Sequence, residues 1–330
     1  MRTAQLGSFG GVSRLTLGGG GLGGAWGETG FDEAVATVHA AIEAGINLID
    51  TAPMYLDCER VIGAAFGGRL PTGVRITTKC QLGEPARGTI ASCLTASLDA
   101  SLAAMQIDHA DIFFLHSNIC DDDMVFAFGN EHRARFATPW SLYVDEVVPA
   151  FEALKAQGRI GAWGITGIGV PQAIIEALAH SAKPDMVQAI TNILDSAGAI
   201  RRFAEPAIPR EIIAAAKAQG VGVMGIRAVQ AGALTNGFDR TIKDSHPEGR
   251  DYHRAAPFRA LCAEIGIDPA IMAHRYALDM DGVDTLVLGV KNRTELAQCI
   301  EAEAMGPLPP DLAARFEQIR VVMAASLLEN

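Results

Sequence analysis

Three short runs of β-branched or apolar residues in this sequence finish on, or lead into, an ionisable side chain. Residues 47–50 end in Asp50, residues 75–79 end in Lys79, and residues 112–115 lead directly into His116, while Tyr55 follows Asp50 by five residues. A buried strand seldom ends in a charge unless that charge is paired or meets solvent, so the three groups are expected at one common mouth, with Tyr55 reaching back over it. Such a set suits proton transfer during the interconversion of a carbonyl and an alcohol. A phenol that titrates near about 10 is a poor proton donor and acceptor at neutral pH, but an adjacent ammonium stabilises the phenolate. Lys79 fits that role, Asp50 would keep it charged, and His116 would hydrogen-bond the substrate oxygen. None of these groups supplies a hydride, so a nicotinamide cofactor is implied. Taken singly, each has an ordinary role as a turn cap, surface lysine, satisfied histidine or packing tyrosine. Their shared place at the ends of consecutive strands favours the chemical reading.

The elements that must position them alternate: a short apolar run, a polar turn, then a stretch of helical period. Strands are expected at 14–17, 47–50, 75–79, 112–115, 161–165, 186–190, 222–226 and 285–288. Helices are expected at 32–44, 90–105, 144–157, 171–180, 209–219 and 294–301. In the first of these, Val35, Val38 and Ile42 recur on one face and Gly45 follows as a stop. Eight parallel strands with crossover helices predict an α/β fold of the TIM (β/α)8-barrel type, with a doubly wound open sheet as the alternative. Residues 3–6 and 12–14 flank a Gly-rich turn and predict a hairpin capping the barrel floor. No Pro- or Ser-rich linker divides the chain, so residues 1–330 read as one domain.

Composition narrows the partners. The 330 residues are 49% hydrophobic and 20% charged, and 27 basic against 38 acidic side chains leave a formal charge of −11. That balance repels phosphate backbones and anionic lipid, so neither nucleic acid nor membrane is an expected partner. The start, MRTAQLGSFGG, lacks the apolar core of a secretory signal, and no run approaches the roughly 20 apolar residues of a membrane span, so a cytoplasmic protein is expected. Six scattered cysteines form no CxxC pair, and no metal site is expected.

Two insertions interrupt the alternation. Residues 117–143 contain Asp121, Asp122, Asp123, Phe126, Phe128 and Trp140, and residues 234–257 are rich in Gly, Asp and Arg. Both should leave strand ends, where barrel loops build active sites, and both are candidate substrate lids. Trp26, Phe126 and Trp140 are candidate pocket walls beside Tyr55 and His116.

The sequence resembles the aldo-keto reductase family from Gln5-Leu-Gly and Val12-Ser-Arg-Leu through to Gly289-Val-Lys-Asn-Arg-Thr-Glu-Leu. Asp50-Thr-Ala-Pro-Met-Tyr55 is similar to the family's Asp and Tyr segment, Thr78-Lys79 to its Lys, and Leu115-His116 to its His. The resemblance implies that Tyr55 is the general acid for carbonyl reduction, that His116 positions the carbonyl, and that Lys79 and Asp50 tune the tyrosine. It implies NADP(H) as cofactor, with NAD(H) also admitted, and a small carbonyl or sugar as substrate; oligomeric state stays open. Gly19 and Gly20, within the run from Gly18 to Gly21, and Asp50, Thr166 and Gln188 fall at the nicotinamide end, Gln188 aligning with a glutamine that bonds the carboxamide. Ile226 and Arg227 follow the seventh strand. Gly289, Lys291, Arg293, Glu295 and Gln298 fall at the adenosine end, where a helix start and two cations suit a phosphate.

Some positions depart from the family pattern. Thr166-Gly167 stands where relatives usually carry Ser-Asn, Thr191 stands in a common Tyr position, and Ile226-Arg227-Ala228-Val229 replaces a Tyr-Ser-Pro-Leu type segment. Glu295, Gln298 and Cys299 also differ from the frequent residues, and the carboxylate of Glu295 would favour free ribose hydroxyls. Two other classes fit part of the pattern: a Schiff-base lyase using Lys79, against which a paired and protonated lysine argues, and a nicotinamide-sensing regulatory subunit.

Overall fold

In the computed structural model, which describes residues 1–127 and 130–325, twelve strands form in chain order. These are β1 (Thr3–Leu6), β2 (Gly10–Ser13), β3 (Leu15–Gly18), β4 (Leu48–Asp50), β5 (Arg75–Cys80), β6 (Ala110–Leu115), β7 (Asn118–Cys120), β8 (Ala137–Pro139), β9 (Ile160–Thr166), β10 (Met186–Ile190), β11 (Gly222–Ile226) and β12 (Thr285–Leu288). Eight of them close a parallel barrel in the order β3-β4-β5-β6-β9-β10-β11-β12 and back to β3. They are the eight strands expected from the alternation, and the ring leaves no open edge. Every residue of β3, β4 and β10 is buried, as expected for parallel strands covered on both faces.

The floor explains how the site is held. β1 and β2 pair antiparallel as the expected hairpin, and its Leu6 and Val12 cluster with Leu48, Ile112, Phe114, Ala162, Met186 and Met224. Those six barrel residues fill the interior from below. Side chains on a strand alternate faces, so two residues further along each strand the chain points inward again. This carries Leu48 to Asp50, Phe114 to His116 and Met186 to Gln188, at the C-terminal mouth above the apolar plug.

The six expected helices form, each within a few residues of its expected ends, with one irregularity: residues 144–157 begin as a π-helical turn, Tyr143–Val147, before the α-helix Val148–Ala156. Helices at Cys58–Phe66, Pro247–Arg254, Ala256–Glu264, Pro269–Asp279 and Pro310–Ala325 add to the expected set. The first is short and carries Gly63 at a point of close approach, because a Cβ there would lie 2.7 Å from the Ala104 carbonyl oxygen. Among the described residues no helix is long and apolar enough to cross a membrane.

The described residues of the two insertions pack into the body of the fold. β7 and β8 pair parallel inside the first, and Ile119, Cys120, Phe126, Ala137, Leu142 and Tyr143 enter the main hydrophobic core. The second holds the helix Pro247–Arg254, tied down by Arg227 to Glu248 at 3.0 Å and Gln230 to Asp251 at 2.8 Å.

Candidate active site

Asp50 and Thr77 are register partners on adjacent strands, and Lys79 lies two residues beyond Thr77 on the same inner face. The Lys79 ammonium donates to Asp50 Oδ2 at 2.7 Å and to the Thr51 carbonyl at 2.9 Å. Both members of this ion pair are sealed from solvent, at 0% and 1% exposure. Above them Nζ sits 4.6 Å from the Tyr55 ring centroid, and the Tyr55 ring meets His116 edge to face at 5.7 Å. Four side chains from four separate segments therefore form one stack: carboxylate, ammonium, phenol and imidazole.

Electrostatics follows from this packing. Burial works against the Lys79 ammonium, but Asp50 and then Tyr55 hold its pKa above the ordinary value. Burial pushes the Tyr55 phenol above its usual range, and the strongest influence pulling it back is Lys79. His116 is driven down to about 3 by burial and by the Lys79 charge, so its imidazole is neutral at physiological pH. Its Nδ1 is buried without a hydrogen-bond partner, which leaves Nε2 as the ring nitrogen available to a substrate oxygen.

The other sequence-selected residues divide. Gln188 is brought into the stack: its Nε2 donates to Asp50 Oδ1 at 2.6 Å. Thr166 lies beside His116, its hydroxyl donating to the Leu115 and His116 carbonyls at 3.2 and 3.3 Å. Gly19 and Gly20 belong to a short buried helix, Gly19–Leu22. Added Cβ atoms would lie 2.2 Å from Cys58 Sγ and 2.3 Å from Trp26 Nε1, so this run is required by packing within the chain. Trp26 covers Gly20 and stays 40% exposed. Phe126 is in the core, 4% exposed, Trp140 is half-buried against Tyr143, and Phe128 lies outside the described residues. The Ile226 carbonyl accepts from Thr191, and Arg227 has its guanidinium on Gln230 and Glu248 with φ at +62°.

At the far end, both selected cations have acidic partners within the chain. Lys291 pairs with Asp239 and lies 3.8 Å from Glu295 Oε1. Arg293 holds Glu33 through two side-chain bonds at 3.1 and 2.9 Å, which keeps Glu33 down at about 2. The helix Arg293–Ala304 is capped from its own sequence: Asn292 Oδ1 accepts from the Glu295 N–H at 3.0 Å, and Glu295 Oε2 accepts from the Lys291 N–H at 2.9 Å. Gly289 is exposed and Gln298 half-buried.

Sequence reasoning passed over Thr77, Asp239, Glu33 and Glu248. For Thr77 a signal existed, since it precedes Lys79 by two and shares its face. The three acids are distant in sequence from the cations they hold, and no local pattern marks them.

Comparison with known proteins follows the same lines as this geometry. The model of the aldo/keto reductase family matches residues 14–321. L-galactose dehydrogenase of Arabidopsis thaliana is 26% identical over 295 residues, which is 88% of this chain and 84% of that protein. The NADH-specific methylglyoxal reductase of Escherichia coli (strain K12) is 26% identical over 248 residues, 69% of this chain and 67% of that one. Among solved structures, the holo form of aldo-keto reductase AKR11C1 from Bacillus halodurans superposes with a TM-score of 0.72 at 23% identity, covering 97% of this chain and 96% of its own.

Proposed function

This chain belongs to the aldo/keto reductase family, and from that premise we propose that it interconverts a small polar carbonyl compound and its alcohol, with Tyr55 as proton donor and acceptor. The observation that carries the reading is the stack itself: a phenol held between a buried ammonium and a neutral imidazole at the barrel mouth. In reduction, Tyr55 gives its proton to the carbonyl oxygen, and its raised pKa keeps that proton in place until the oxygen demands it. Lys79 stabilises the phenolate that remains, and Asp50 keeps Lys79 charged without a water-filled gap. His116, uncharged, donates a hydrogen bond that orients the same oxygen.

A nicotinamide dinucleotide, when bound, supplies or accepts the hydride that none of these side chains can provide. The chemistry of the donor set fits such a group. Tyr55 and His116 serve its reacting end, and Thr166 adjoins them. At the adenosine end, Asp239 and Glu295 are acceptors suited to ribose hydroxyls, and together with Lys291 and Arg240, which also pairs with Asp239, they form a charge-balanced cluster rather than a free cationic pocket. A 2′-phosphate would have to break those pairs, so we read the site as accepting NADH at least as well as NADPH. An NADH-specific relative supports this, as its substrate and that of the galactose-oxidising relative support a short aldehyde or a sugar. A panel of methylglyoxal, simple aldehydes and aldoses, each assayed with NADH and NADPH separately, tests the reading. No turnover with any carbonyl compound in either direction would contradict it.

A further inference from the structure

Asp50 receives more than its lysine. While Oδ2 faces Lys79, Oδ1 accepts a hydrogen bond from the Thr77 hydroxyl at 2.6 Å and another from Gln188 Nε2 at 2.6 Å. All of these side chains are buried. Their origins matter. Thr77 stands beside Asp50 on the neighbouring strand β5, whereas Gln188 is on β10, four strands round the ring in either direction and therefore on the opposite wall. Gln188 reaches across the barrel to bond a carboxylate.

Two donors arriving on one oxygen from different directions fix the plane of a carboxylate that would otherwise turn about its own bond. They also share its charge, because a hydrogen bond to an ionised acceptor draws density toward the donor. Both effects act on Tyr55 through Lys79. A carboxylate with Oδ1 satisfied presents Oδ2 to the ammonium in one geometry and projects less negative potential at the phenol. A carboxylate stripped of those donors neutralises Lys79 more completely, and the phenolate loses support.

We propose that Thr77 and Gln188 are positioning residues of the proton-transfer site, holding Asp50 Oδ1 so that the Lys79 charge remains directed at Tyr55. Gln188 thus acts from beneath the reacting groups, on the residue that orients the lysine. The meaning of this for catalysis rests on Tyr55 being the proton donor, but the linkage itself is a property of the chain and can be measured without turnover.

The test is the titration of the Tyr55 phenol in the full, cofactor-free chain, followed by NMR of isotope-labelled tyrosine and assigned by the signal lost in Tyr55→Phe. Groups facing the phenol are Lys79 from β5, Asp50 from β4, His116 after β6, and Cys58 on the following helix, where the neighbouring Glu59 feels the Lys79 charge. All are retained in the variants. Gln188→Met and Thr77→Val should each move the titration up by roughly half a unit or more, and the pair by more. Thr77→Ser, which keeps the hydroxyl, should restore it. NADH affinity, measured by fluorescence titration, should change less than about 3-fold in Thr77→Val. An unmoved or lowered Tyr55 titration in folded Gln188→Met and Thr77→Val would overturn the proposal, as would weakened NADH binding in Gln188→Met with the phenol unaffected, which would make Gln188 a cofactor ligand alone. Should wild type fail with every carbonyl compound, the reading of the activity falls while the titration still decides this linkage.

Discussion

The Lys79 ammonium lies 2.7 Å from Asp50 Oδ2 and 4.6 Å from the centre of the Tyr55 ring. One cation therefore answers to a carboxylate below it and a phenol above it. Because water is excluded from the ion pair, the Lys79 charge is weakly screened and has few other partners.

Removing that cation has two separable consequences. In Lys79→Met the Tyr55 phenol should titrate higher than in wild type, since the main influence opposing burial is gone. The alkaline-side ionisation in the pH profile of alcohol oxidation should move up with it. Stability should also fall by about 3 to 5 kcal/mol, the usual cost of stranding one buried member of an ion pair, and the double variant Lys79→Met/Asp50→Leu should recover part of it. Denaturant unfolding of both variants checks the second consequence.

His116 links pH to folding. Its folded pKa, about 3, lies below the ordinary 6.5, so between these values the unfolded chain takes up a proton that the folded chain refuses. Stability from this group is complete above about 6.5 and is lost as the pH falls toward 3. His116→Asn should flatten the decline of stability over that window by up to about one proton equivalent, and an unchanged slope would place the acid sensitivity elsewhere.

The adenosine end makes a prediction about charge. Asp239→Asn with Glu295→Gln keeps the polar shape of the cluster and releases Lys291 from its acids. NADPH should then bind about ten-fold tighter or more, the scale of one charge-assisted contact, while NADH affinity stays within a few-fold. Equal changes for both cofactors would show that this cluster does not meet the 2′ position.

What the sequence disclosed and what it hid divide by range. Asp50, Lys79 and His116 lie at or next to the C-terminal ends of strands whose inner faces are set by a two-residue period, so their convergence was legible, as was the barrel from the alternation of its elements. The contact of Gln188 with Asp50 spans the barrel and exists only once the ring closes. The pairing of Arg293 with Glu33 joins the last crossover to the first, and Lys291 meets Asp239 from inside an insertion. Phe126 reads as a candidate pocket wall because it lies in an insertion after a strand, yet its side chain is buried in the main hydrophobic core. Local pattern reports the face of a strand; it does not report which distant acid reaches a cation first.

The central claim is that Tyr55 carries the proton. Tyr55→Phe retains the ring that packs on Lys79 and His116 and removes only the hydroxyl, so its effect isolates that step. With the best carbonyl substrate and saturating cofactor, kcat should fall by roughly 100-fold or more, while the cofactor dissociation constant, measured by fluorescence titration, stays within about two-fold, too small a change to matter energetically. A variant that binds cofactor normally and keeps near wild-type kcat, with chemistry shown to be rate-limiting, would contradict the account.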